Sequence, residues 1–306
     1  MSVATRAMKI IPETTVDAIL ITGPTASGKS ALAVEMARDH GGEVINADSM
    51  QVYDTLRVLT ARPDEADMGG VPHHLYGTVA AGAAFSSGEW LRAAARVLDD
   101  VRARGKVPVF VGGTGLYFKA LTGGLNEMPD VPPEIRAYWR RRLQEDGPTA
   151  LYAELAARDP DGAGQFASSD GQRIVRALEI IEATGRSLTS FQTGIGRPLV
   201  EPERARKLIV MPERAVLHDR INRRFSAMFE MGAIEEVEAL LALALPGEMP
   251  VMKAIGVPQI AAHLRGELTR EQVVSQASAA TRQYAKRQMT WFRNQMDESW
   301  TRLGPG

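Results

Sequence analysis

The chain has 306 residues, and its 36 Lys and Arg against 37 Asp and Glu leave a formal net charge of −1. With 44% hydrophobic and 24% charged residues it can bury a sizeable core, as one large domain or two ordinary ones, which excludes global disorder. It has no Cys, which excludes a disulfide scaffold, a thiolate nucleophile and any Cys-ligated zinc or iron–sulfur site.

No apolar run approaches the length of a membrane span, about eighteen residues, so no membrane partner is expected. Residues 1–15 include two basic residues but no apolar segment, so they do not read as a secretory signal and a cytoplasmic protein is expected. Residues 16–22 (VDAILIT) form a short apolar, β-branched run that stops at Gly23-Pro24, the pattern of a buried strand. Residues 30–40 space Leu32, Val34, Met36 and Ala37 along one helix face and end before Gly41-Gly42. A second strand is predicted over 43–47, a long helix over 88–104 closed by Gly105, and a third strand over 106–111 closed by Gly112-Gly113. Strands alternating with helices imply a parallel sheet covered on both faces. Such sheets bind ligands beyond the carboxyl ends of their strands. Residues 126–133 read as a turn-rich linker, after which 134–146, 149–158 and 171–184 carry helical spacing only. A loop over 193–204 precedes a further strand at 207–211, and helices over 215–231, 233–245 and 270–296 end the chain. The expected fold is α/β: a parallel-sheet core (1–125 and 201–306) interrupted by a helical insertion (126–200).

Gly23-Pro24-Thr25-Ala26-Ser27-Gly28-Lys29-Ser30 is a complete G-x-x-x-x-G-K-S motif, placed after a strand and opening a helix. Glycine lets backbone N–H groups crowd a phosphate, and the helix N-terminus adds its positive end. Lys29 neutralises terminal phosphate oxygens, and the Ser30 hydroxyl can join a Mg²⁺ shell. The motif predicts binding of a di- or triphosphate, not what happens to it. A hydrolytic protein of this kind usually ends another apolar strand in a metal-holding Asp. Here the third strand ends in Gly112-Gly113-Thr114-Gly115, which speaks against an ATP-driven motor. Asp48 follows the second strand and falls at the same carboxyl edge. It reads in two ways: a carboxylate that binds Mg²⁺ or takes a proton from a nucleophile, or the N-cap of a segment starting near Ser49. Thr114 likewise reads as a loop hydroxyl beside a substrate or as the N-cap of 116–121. His73-His74 fall in a predicted loop, with no further metal ligands at helical spacing, so structural hydrogen bonding is their expected role.

Charge is balanced overall but not locally. Residues 136–142 carry Arg136, Arg140, Arg141 and Arg142 around Tyr138 and Trp139, and 214–224 carry Arg214, Arg220, Arg223 and Arg224. Residues 281–296 carry Arg282, Lys286, Arg287 and Arg293 with three aromatics and no acid. Each stretch alone reads as a solvated helix face over aromatic anchors. Three together point to a polyanion, held by phosphate contacts and base stacking.

The motifs GPTASGKS, ADSMQVY, VGGTGLYFKAL, DGQRIVRALEI and TRQYAKRQMTWFR, in this order from about Ala18 to Arg293, resemble the bacterial tRNA dimethylallyltransferases, also called tRNA isopentenyltransferases. The resemblance implies a P-loop NTPase-like core and transfer of a dimethylallyl group from dimethylallyl diphosphate to N6 of adenine 37. The tRNAs concerned read codons that begin with U. It implies that Gly23 to Ser30 hold the donor's diphosphate with Mg²⁺, that no ATP is hydrolysed, and that the helical insertion clamps the anticodon stem-loop of a monomer's tRNA substrate. Asp48 matches the residue that engages the adenine amine, with Ser49, Met50 and Gln51 beside it, and Thr114 matches the family's GGT threonine. Gln172-Arg173 match a tRNA-contacting segment, carried here over Gly171, Gln172, Arg173, Ile174 and Val175, although Gly171 replaces the usual Pro. Arg136, Lys253, Gly256, Arg282, Lys286 and Arg287 are further expected tRNA contacts, and Arg220 is the expected extra cation on the diphosphate. Two runs depart from the family. Ile255-Gly256-Val257-Pro258-Gln259 lacks its Tyr and basic residue, and Leu59-Thr60-Ala61-Arg62-Pro63 keeps only the outline of its G-T-A-K-P. Two rivals share the phosphate loop: a kinase marked by ATP consumption, and an RNA-binding switch marked by nucleotide binding without turnover. The missing third-strand Asp and the motif order disfavour both.

Overall fold

The computed structural model describes residues 16–126, 128–192 and 196–304. Residues 1–15, and part of the loop expected over 193–204, lie outside the described residues. The chain divides into two compact units, Met1–Thr122 with Leu199–Gly306, and Gly123–Pro198.

The first unit holds a parallel sheet of β1 (Ala18–Thr22), β2 (Gly42–Asn46), β3 (His73–His74), β4 (Val107–Gly112), β5 (Ala205–Val210) and β6 (Thr301–Leu303). The strand order is β3-β2-β4-β1-β5-β6. β1 is central, with Ile19 in register with Val109 of β4 and Arg206 of β5. All its residues are buried, because both faces are covered. Ile19 and Ile21 pack with Leu32, Val34 and Met36 of α1 (Lys29–Asp39). Two further helices follow, the short α2 (Glu65–Met68) and α3 (Ser87–Ala103). Ala18 and Leu20 join the cluster of Trp90 and Leu98 from α3. That alternation is why β1 reads as a continuous apolar run. α3 starts at a capping box in which Ser86 Oγ accepts the Glu89 N–H (3.2 Å) and Glu89 Oε2 accepts the Ser86 N–H (2.6 Å). Because the strands are parallel, the loops after β1, β2 and β4 all open at one edge of the sheet.

α4 (Gly115–Gly123) follows β4 and leads to the second unit, which is helical: α5 (Pro133–Arg158), α6 (Pro160–Ala163) and α7 (Gly171–Thr184). α5 is kinked at Gly147 (φ 77°) before Pro148, at the break between the two predicted helices. Its core gathers Trp139, Leu151, Leu155, Ile174 and Leu178. This corrects three expectations. Trp139 is a core residue and not a stacking surface, and Ile174 and Val175 are buried, because helical spacing turns them inward. Gln172 and Arg173 stay exposed. Arg142 is paired with Asp146 and Glu154, and Arg141 lies near Glu145, while Arg136 and Arg140 face solvent.

The first unit closes with α8 (Arg214–Glu230), α9 (Ala233–Ala242), α10 (Val257–Leu264) and α11 (Arg270–Gln295). Sequence patterning missed α10, α2 and β6, which are too short to show a period. It also placed His73-His74 in a loop, where they form edge strand β3 in register with Val44 and Ile45. Hydrogen bonding is indeed their role: His74 Nε2 meets Glu43 Oε2 at 2.7 Å and His73 Nδ1 meets Val71 O at 2.8 Å.

Candidate active site

The phosphate loop leaves β1 at Gly23, where a Cβ would stand 2.5 Å from Val210 O of neighbouring β5. It then turns through two left-handed residues, Ala26 (φ 62°) and Gly28 (φ 92°), before α1 begins at Lys29. Gly28 takes that conformation freely; Ala26 does so at a steric cost typical of functional loops. Lys29 bends back to donate to Pro24 O at 3.2 Å. Burial lowers its pKa to about 8, although Asp48 opposes the shift; Arg224 adds to the lowering. The ammonium therefore sits in a desolvated site suited to a compact anion. Ser30 is exposed on the first turn of α1.

Two arginines one turn apart on α8 reach this loop. Arg220 Nη1 donates to Ser27 O at 3.2 Å, and Arg224 Nη2 donates to Thr25 Oγ1 at 2.6 Å. Arg220 was expected here; Arg224 was read only as part of a basic run. Its i, i+4 spacing from Arg220 is the signal that places both on one helix face.

Asp48 is no helix cap. Residues 49–52 form a turn, and Asp48 Oδ1 accepts the Met50 N–H at 3.0 Å, the short-range bond that Asp favours in turns. Beneath it the fully buried Asn46 accepts the Asp48 N–H (2.9 Å) and donates to Asp48 O (3.1 Å) and Leu75 O (3.0 Å). Thr114 does not use its hydroxyl to cap α4 either: Oγ1 accepts the Ser49 N–H at 2.9 Å and donates to Ser49 Oγ at 3.2 Å, tying the β4 loop to the Asp48 turn. The phenols of Tyr76, Tyr117 and Tyr284 are all held above their ordinary pKa, mainly by burial and further by the charge of Asp48. They stay neutral and polar around the carboxylate.

A cavity of about 320 Å³ opens beside Thr25, Arg224, Asp48 and Tyr284. Thr25, Asp48, Ser49, Arg224, Lys253, Tyr284 and Arg287 give it polar walls, and Met50, Leu59, Ile221, Phe225, Met228 and Ile255 apolar ones. A second groove, of about 510 Å³, runs along α11 past Gln283, Lys286, Arg287, Thr290, Trp291, Asn294 and Gln295. Of the expected residues, the cavity thus unites Thr25, Asp48, Ser49, Met50, Lys253 and Arg287. Three others are engaged elsewhere. Gln51 Nε2 donates to Thr60 O and Ala61 O (2.9 Å each), Gly256 packs on Leu59, and Arg282 donates to Asn222 Oδ1 at 2.6 Å. Gln288 lies within the TRQYAKRQMTWFR motif, with no role for it legible from the sequence; it accepts the Thr25 N–H and donates to Gly113 O.

Among the described residues no three His, Asp or Glu side chains gather into a metal site. Hard oxygen donors at the loop include the Ser30 hydroxyl and, near enough to act on Lys29, the Asp48 carboxylate. Such hard donors fit Mg²⁺ provided phosphate oxygens of a ligand complete its shell. Among the described residues no helix is long and apolar enough to cross a membrane.

The chain is similar to known proteins over most of its length. The family model described as IPP transferase matches residues 51–295, and one described as isopentenyl transferase matches 16–77. The chain is 65% identical over 288 residues to the tRNA dimethylallyltransferase of Rhizobium meliloti (strain 1021), covering 94% of this chain and 95% of the relative. It is 63% identical over 289 residues to that of Agrobacterium fabrum, covering 94% and 97%. Its fold is similar to the crystal structure of tRNA isopentenylpyrophosphate transferase from Bacillus halodurans (TM-score 0.67, 33% identity, 94% and 90% covered). It is also similar to a eukaryotic dimethylallyltransferase captured acting on tRNA (TM-score 0.79, 27% identity, 94% and 74% covered). With a phosphate loop, a carboxylate at the next strand end and this likeness over nearly its whole length, the chain belongs to the IPP transferase family.

Proposed function

We propose that this chain transfers a dimethylallyl group from dimethylallyl diphosphate to tRNA, at N6 of adenine 37 in tRNAs that read codons beginning with U. The observation that carries the reading is one cavity lined by Thr25 of the phosphate loop, Arg224 and a lone carboxylate, Asp48, whose charge acts on the buried Lys29. The loop N–H groups, Lys29, Arg220 and Arg224 bind the diphosphate and stabilise the charge that gathers on it as the allylic C–O bond breaks. The Ser30 hydroxyl, together with oxygens of the bound diphosphate, would hold a Mg²⁺ ion, which would supply further neutralisation of the leaving group. Asp48 orients the adenine amine and takes its proton as the C–N bond forms. The apolar wall of Leu59, Ile221, Phe225 and Met228 shields the cationic carbon from water.

Loop nucleotides of an anticodon are cheap to unstack, which lets the base enter so narrow a site. Arg136, Arg140, Gln172 and Arg173 of the second unit and Lys253, Lys286 and Arg287 of the first are the exposed or cavity-lining groups that support tRNA binding. Under this reading the enzyme acts as a monomer in the cytoplasm. Incubation with dimethylallyl diphosphate, Mg²⁺ and unmodified tRNA, then mass analysis of nucleosides, tests this. A dimethylallyl adduct confined to one adenosine is expected. ATP consumption with unmodified nucleosides would return the kinase reading.

A further inference from the structure

Thr25 of the phosphate loop is gripped twice. Its N–H donates to Gln288 Oε1 at 2.9 Å, and its hydroxyl oxygen accepts Arg224 Nη2 at 2.6 Å. The other end of the Gln288 amide turns the opposite way, with Nε2 donating to Gly113 O at 2.9 Å. Gly113 precedes Thr114, which is tied in turn to the Asp48 turn. One side chain, 6% exposed, therefore joins the phosphate loop, the β4 loop and α11, one turn after Tyr284 in the cavity wall. A Cβ at Gly113 would collide with Gln288 Nε2, with Asp48 Oδ2 at an ordinary contact distance of 3.4 Å, so the glycine is what leaves room for the amide. A neutral carboxamide donates at one end and accepts at the other; an ionised Glu only accepts, and Lys only donates.

We propose that Gln288 is a positioning residue for prenyl transfer. Acting through Thr25 and Gly113, it fixes the phosphate loop, and with it the donor's leaving group, relative to the Asp48 side of the cavity. It touches no reacting atom itself. The proposal rests on the transfer reading of the site. Reacting groups held 1 Å out of place lose on the order of 10²-fold in rate, so one buried amide between donor and acceptor sides can have a large kinetic effect.

The test compares full-length wild type with Gln288→Met, similar in length but without the hydrogen bonds, and Gln288→Glu. Single-turnover transfer from saturating dimethylallyl diphosphate to unmodified tRNA is measured together with pyrophosphate affinity, tRNA affinity and melting curves. Gln288→Met should slow transfer by roughly 10²-fold and weaken pyrophosphate binding, with tRNA affinity unchanged. In Gln288→Glu a protonated acid reproduces both hydrogen bonds, whereas the ionised form sets a negative oxygen against Gly113 O. Its rate relative to wild type should therefore fall as pH rises. A merely structural residue would lower the melting temperature but leave saturated single-turnover rates and the relative pH profile unmoved, and that result overturns the proposal. Should Gln288→Met fail to fold, the Gln288→Glu profile decides alone. An inactive wild type overturns the reading of the site and this proposal with it; an active wild type with unaltered variants overturns only the role of Gln288.

Discussion

Lys29 shows how a single residue can be tuned by its surroundings. Its pKa falls from an ordinary 10.5 to about 8, chiefly through burial. In the unfolded chain the amine keeps its proton up to about 10.5, so the empty fold gains stability as pH rises between about 8 and 10.5. A bound diphosphate reverses the shift, because it stabilises the ammonium. Donor binding should therefore be strongest below about pH 8 and weaken by up to about tenfold per pH unit above it. Calorimetry in buffers of different ionisation enthalpy should show proton uptake near pH 9 that Lys29→Met abolishes. Equal uptake in the variant would remove Lys29 from the diphosphate site. Asp48 makes a second prediction at this scale. Asp48→Asn keeps the acceptor for the Met50 N–H, so the turn and the melting temperature should survive. Single-turnover transfer should fall by roughly two orders of magnitude or more, the usual effect of losing a placed proton acceptor. Near-wild-type rates would exclude Asp48 as proton acceptor, and recovery at high Mg²⁺ would make it a metal-shell residue instead.

Among the elements, the run Leu59-Thr60-Ala61-Arg62-Pro63 is instructive because it departs from the family's pattern and is nonetheless firmly held. Glu236 of α9 accepts the N–H groups of Arg57 (2.8 Å), Val58 (2.6 Å) and Leu59 (3.1 Å), and Gln51 donates to the carbonyls of Thr60 and Ala61. Arg62 donates to Tyr53 O (2.7 Å) and Asp54 O (3.1 Å). Leu59 and Thr60 are thereby fixed at the cavity rim. Glu236→Ala should lower stability by about 1 kcal/mol, less than for fully buried groups because part of this loop meets water. It should appear as a lower urea midpoint with an unchanged slope. An unaltered midpoint would mean that α9 does not hold this rim. Long periodic helices such as α3 and α11 were legible from sequence, since their apolar spacing is local information. Strands β3 and β6 were not: two or three residues carry no period, and only pairing to β2 and β5 makes them strands.

For the whole molecule, the cations expected to meet tRNA lie in both compact units, which gives the charge argument a direct test. Binding to tRNA should weaken steeply with salt, because neutralised phosphates release their counterions. Arg140→Ala with Arg141→Ala in the second unit, and Arg287→Ala in the first, should each flatten the log–log slope. The change should be roughly 0.7 to 0.9 for every phosphate that the variant leaves unneutralised. A slope that either set leaves unchanged makes that patch a solvated face. The sequence alone determined the alternating strands and helices, the phosphate loop with Lys29 and Ser30, and Asp48 at a strand end, because each is written in a few neighbouring residues. Tertiary structure decided the rest. It turned Trp139, Ile174 and Val175 inward, brought Arg224 onto Thr25, and set Gln288 against a backbone N–H 263 positions earlier in the chain. Burial and long-range hydrogen bonding depend on what packs alongside a residue, and no local pattern carries that information.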